Sequence, residues 1–128
     1  MLQVFLVLVL SVFANASEPE CLNSYYDLGP QAAALGLACR DEEPGVADLI
    51  FCKREHLVNQ GYCSGLRWPI RCDWHAQSES WQCEEKGNYP LKATVKKLPS
   101  DQISYSFRSS FNSGVLTGRR VQAVEERP

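Results

Sequence analysis

In the second half of the chain, apolar positions recur two apart. Leu66, Trp68, Ile70, Cys72 and Trp74 alternate with Arg67, Pro69, Arg71, Asp73 and His75. That spacing is the signature of a strand with one face turned to a core. Pro69 has no N–H to give to a ladder, so the pattern predicts an edge strand. Ala76 to Ser80 is polar and reads as a loop, after which Trp81-Gln82-Cys83 takes up the alternation again. With His75 to Ser80 turning the chain, Trp74 stands opposite Trp81 and Cys72 opposite Cys83. Directly opposed side chains of an antiparallel pair lie about 4.5–5.5 Å apart, close enough for a disulfide.

Beyond Gly87-Asn88 the cysteines stop and the period of two continues. Leu91, Ala93 and Val95 alternate with Lys92, Thr94 and Lys96. Leu98-Pro99-Ser100-Asp101 reads as a turn. Ile103, Tyr105 and Phe107 then alternate with Ser104, Ser106 and Arg108, and a second turn at Asn112-Ser113-Gly114 leads to a third strand from Val115. This predicts a C-terminal β-meander with one apolar face, covered by the cysteine-rich part.

The region before Leu66 carries a different pattern. Pro30 followed by Gln31-Ala32-Ala33-Ala34-Leu35-Gly36-Leu37-Ala38-Cys39 has the residue preferences of a short helix, weakened by Gly36. In Val46–Asn59 a second helix is predicted, with Val46, Leu49, Ile50 and Leu57 on one face and Gly61 as its stop. A strand through Leu49 to Cys52 competes with it, because short apolar runs fit either period. The expected fold class is α+β: a small disulfide-rich domain with one or two short helices, a Trp-containing β-hairpin and the meander.

Residues 1–16 read as a secretory signal peptide. Val4 to Phe13 is uncharged and apolar, and Ala14-Asn15-Ala16 offers the small-x-small cleavage pattern. The run is shorter than the ~20 residues a bilayer span needs, and no second such segment follows, so no membrane anchor is expected. Residues 17–128 are expected to form one secreted domain. Within it, 21–83 is the disulfide-rich part, 88–124 the cysteine-free β part and 125–128 a disordered tail.

All six cysteines, Cys21, Cys39, Cys52, Cys63, Cys72 and Cys83, fall in the secreted part. An even number in a small exported chain predicts three disulfides. The hairpin register selects Cys72–Cys83 and leaves the pairing of the other four open. No two cysteines have the close spacing of a metal site, and no metal or other cofactor is expected.

Charge divides along the chain. Residues 17–83 carry five basic and ten acidic side chains, and residues 84–128 carry eight and five. The acidic part gives phosphate no field to follow and the basic residues are dispersed, which argues against nucleic acid.

No nucleophile elbow, zinc-protease helix or phosphate loop is present, and oxidised cysteines offer no thiolate, so no catalytic residue is assigned. His56 and His75 are the only histidines. Gly118-Arg119-Arg120 has the form of a prohormone processing signal, and two arginines in a solvated loop or strand are the plainer reading.

Trp, Tyr and Arg are the residue types enriched at interface hot spots, and they concentrate between Tyr62 and Tyr89. If the apolar hairpin face is core, the candidate contact residues are Arg67, Trp68, Arg71 and His75. The expected partner is an extracellular protein, bound without catalysis in the manner of a toxin, hormone or inhibitor. The alternative is a matrix component contacting polysaccharide, since the same aromatics stack on sugar rings.

Overall fold

A computed structural model describes residues 19–65 and 68–123. The expected signal peptide, the tail at 125–128, and Leu66 and Arg67 lie outside the described residues. Eight antiparallel strands form a closed barrel in simple sequential order. They are β1 (Ser24–Asp27), β2 (Ala34–Cys39), β3 (Val46–Cys52), β4 (Ile70–His75), β5 (Ser80–Glu85), β6 (Leu91–Leu98), β7 (Gln102–Ser109) and β8 (Ser113–Ala123). One short helix, α1 (Arg54–Gln60), follows β3. The α+β expectation is therefore corrected: the described fold is a β-barrel with one helix of two turns.

Two segments account for the difference. The Ala/Leu-rich stretch expected to be helical is β2, whose Leu35 and Leu37 point inward and are fully buried. Intrinsic helix preference is a weak term, and pairing with β1 and β3 on both sides overrides it. Gly36, unfavourable in a helix, is what this strand needs. The ring of Tyr25 lies over it, and a Cβ there would sit 2.5 Å from Tyr25 Cδ1.

The second expected helix divides into β3 and α1. In β3, Ala47, Leu49 and Phe51 join the interior cluster, while Ile50 and Cys52 face outward under Leu57 of α1. Both faces of β3 are thus apolar, which hides the period of two.

The Trp hairpin has the expected register: Cys72 opposes Cys83, Trp74 opposes Trp81 and His75 opposes Ser80. It is not at an edge. β4 also pairs with β3, and Pro69 precedes the strand, where it removes no ladder bond. The meander is likewise not a separate face beneath a cysteine-rich cover. β6, β7 and β8 continue the wall, and β8 closes it against β1, with Tyr26 opposite Arg120 and Asp27 opposite Arg119.

Closure abolishes the unpaired edge that an open sheet would expose. It also puts Gly118-Arg119-Arg120 inside a strand paired on both sides. A Cβ on Gly118 would lie 2.8 Å from Leu28 Cδ2 and 3.1 Å from Tyr26 Cβ. This glycine lets β1 and β8 side chains share the narrow interior.

The three disulfides are Cys21–Cys39, Cys52–Cys63 and Cys72–Cys83. Such bonds are consistent with an extracellular protein. Among the described residues, no helix is long and apolar enough to cross a membrane.

Candidate functional site

The connections divide between the two ends of the barrel. One end, the base, has the loops after β2, β4 and β6. The N-terminal segment is strapped to it by Cys21–Cys39. There the Trp81 indole is buried and meets Trp74 edge-on, with centroids 5.3 Å apart. Its Nε1–H donates to the Glu20 carbonyl at 2.8 Å. The base is filled by side chains.

The other end, the mouth, collects the loops after β1, β3, β5 and β7. A cavity of about 550 Å³ opens there, bounded by the 28–33 loop, Phe51, Tyr105, Phe107, Asn112 and Leu116. Its wall is aromatic. Tyr105 stacks on Phe107 with centroids 5.3 Å apart and an interplanar angle of 15°, and Phe51 meets Tyr105 edge-on at 6.1 Å. Ala32 and Ala33 in its lining are small, and β8 sets Gly114 against the Phe107 ring, where a Cβ would lie 3.3 Å from Cε1 and Cζ. No lining side chain carries a charge.

An ion pair frames this mouth. Arg54, the first residue of α1, reaches Asp27 at the end of β1 through Nε at 2.7 Å and Nη2 at 3.1 Å. The same Asp27 Oδ1 accepts the Gly29 N–H at 2.9 Å. One carboxylate therefore ties both the helix and the 28–33 loop to the barrel. The hydrogen-bonded guanidinium, assisted by the Gly29 N–H, holds the Asp27 carboxyl below its usual range despite partial burial. The Arg54 guanidinium is correspondingly raised. Helix α1 does not plug the opening. Leu57 packs on Ala34 and Cys52 of the outer wall, and Cys52–Cys63 fixes the chain that follows.

Of the contact residues expected from the sequence, Arg71 and His75 share one groove and Trp68 is not among its lining residues. Trp68 precedes β4 and is 86% exposed near the mouth rim, so it does not share the core with Trp74. Arg71 and His75 stand on the outer face of β4 and line a polar groove of about 680 Å³ with Gln82, Glu84, Lys92 and Arg108. Arg71 is engaged there by Asp73 at 3.2 Å, with Glu43 at 3.9 Å. Arg67 lies outside the described residues. His56 is on α1, stacked on Tyr62 at 5.1 Å, whereas His75 is at the base end of β4. The fold does not bring the two histidines together.

Among the described residues no cluster suited to a metal ion occurs. No residue pattern in the chain marks the mouth cavity. Its parity is visible in Phe51, Tyr105 and Phe107, but the empty space among them depends on closure.

The fold and site define a closed antiparallel barrel, sealed at one end and hollow at the other. No protein-family model, curated protein or solved structure matches the chain.

Proposed function

We propose that this chain is a secreted, non-enzymatic protein that acts by binding, and that its site is the barrel mouth, which takes a small, largely apolar ligand. The observation that carries this reading is the uncharged aromatic cavity of about 550 Å³. Ligand sites are typically concave, mostly apolar and roughly 300–1,000 Å³. Eight strands also make a barrel interior just wide enough to be filled by side chains or to hold one small molecule. Here the base takes the first course and the mouth the second. Secretion is supported by the apolar N-terminal run with its cleavage pattern and by the three disulfides.

A second reading has its own observation. The outer groove holding Arg71 and His75, with Trp68 exposed nearby in sequence, would suit an extracellular protein or a polysaccharide. The carboxylates already engaging Arg71 make this surface less ready to receive a partner, so the mouth is preferred.

The test is a titration of the disulfide-bonded protein, recovered from the medium of secreting cells, with the uncharged fluorescent dye Nile red. Saturable one-to-one enhancement is expected. Ala32→Trp, which fills the mouth, should abolish it while circular dichroism and melting temperature stay near those of the parent. Binding that is non-saturable, or unchanged in a folded Ala32→Trp variant, overturns the reading.

A further inference from the structure

The lining of the mouth also bears on which ligands it would admit. Leu28, Ala32, Phe51, Phe107 and Leu116 are its apolar lining residues; Gln31, Asn112 and the Tyr105 phenol are its polar ones, the Asn112 Oδ1 already accepting from Ser109 Oγ at 2.9 Å. Arg54 and Asp27, the ion pair at the mouth, engage each other at 2.7 Å and are not among the lining residues. A carboxylate or ammonium entering such a space would lose water and find no counter-charge, which is costly. An uncharged molecule avoids that cost.

Shape adds a second restriction. The Tyr105 and Phe107 rings, stacked on one another, and Phe51, edge-on to Tyr105, make one wall of the space aromatic. Aromatic pairs favour offset-stacked and edge-to-face geometries, so a rigid ring gains more from this wall than a flexible chain does. A flexible chain would also lose conformational entropy on ordering.

Resting on the reading of the mouth as the binding site, we infer that its ligand is an uncharged, ring-bearing molecule. Its apolar ring system packs against Phe107 and Tyr105, and its hydrogen-bonding group faces the amide-bearing rim at Gln31 and Asn112. Fatty acids and amines, both ionised at neutral pH, are disfavoured by the same cavity.

Three probes sharing one ring system separate these terms: naphthalenemethanol, naphthoate and naphthylmethylammonium, measured by equilibrium dialysis at neutral pH. The uncharged alcohol should bind on the order of 10-fold tighter than either ion, a modest share of the cost of burying an unpaired charge. Phe107→Ala should weaken the alcohol, since the half-buried ring forms part of the wall. Leu116→Lys should reverse the order by giving naphthoate a counter-charge.

If an ion binds as well as the alcohol, and Phe107→Ala weakens all three, the charge inference fails while the site stands. If none of the three binds, both the inference and the site reading fail. Should Leu116→Lys not fold, the order of the three probes on the parent protein and on Phe107→Ala still decides.

Discussion

The three tryptophans divide between the two ends of the barrel, and their environments differ sharply. Trp81 is 2% exposed at the base, packed against Trp74 and hydrogen-bonded to the N-terminal segment. Trp68, near the mouth, is 86% exposed, and Phe111 and Tyr89 on neighbouring mouth loops are 83% and 68% exposed. The base thus packs its aromatics, whereas the mouth loops leave theirs at the surface. On the proposed reading, stability and binding are separated along one barrel axis, so a change at one end should register mainly in the property that end supports.

The largest effect is expected at the base. Trp81→Ala removes a fully buried ring and its hydrogen bond to the Glu20 carbonyl, and should cost about 3–5 kcal/mol in chemical denaturation. A loss below about 1 kcal/mol would mean that the base is not the packed end. Nile red affinity of the fraction still folded should be little changed.

Replacing Cys72 and Cys83 together by alanine comes next. The bond closes a short hairpin whose register is already held by cross-strand pairs. Its loss should lower stability by about 2–4 kcal/mol. Urea unfolding of the double variant, read beside dye titration, tests whether this interior crosslink serves stability alone. A large drop in affinity would show that the wall of the mouth depends on it.

The smallest effect is expected from the Asp27 clamp. Its carboxyl is lowered in the folded protein, so its contribution is fully present above the ordinary carboxylate value near 4 and is lost as pH falls through the folded value. Dye affinity should therefore weaken on acidification below about pH 4 as the 28–33 loop and α1 loosen. Asp27→Asn should weaken affinity modestly at neutral pH and flatten the acid limb of the profile. An unchanged acid limb in that variant would assign the effect to another group.

The sequence reading and the observed fold agree best where structure is local. The Cys72–Cys83 bond and the Trp74–Trp81 pairing follow from parity within one hairpin, because shifting the register by one residue would turn every side chain to the wrong face. Strands β6 and β7 read clearly for the same reason, since a solvated outer face keeps Lys92 and Lys96 polar between Leu91, Ala93 and Val95. β2 and β3 read poorly because, Asp48 apart, their outward positions are apolar too. Ala34, Ile50 and Cys52 lie beneath α1, so the polar half of the alternation is missing.

Alternation in the chain thus determined which residues can share a face, where the hairpins turn and how two of the cysteines meet. It carried no record of which distant strands pair. Only the tertiary structure decided that β8 returns to β1, placing Tyr26 opposite Arg120 and Leu28 against Gly118. Only closure turns a row of alternating residues into the wall of a cavity. Periodicity specifies the face of a strand, whereas a cavity depends on how the inward side chains of strands distant in the chain meet across the closed barrel.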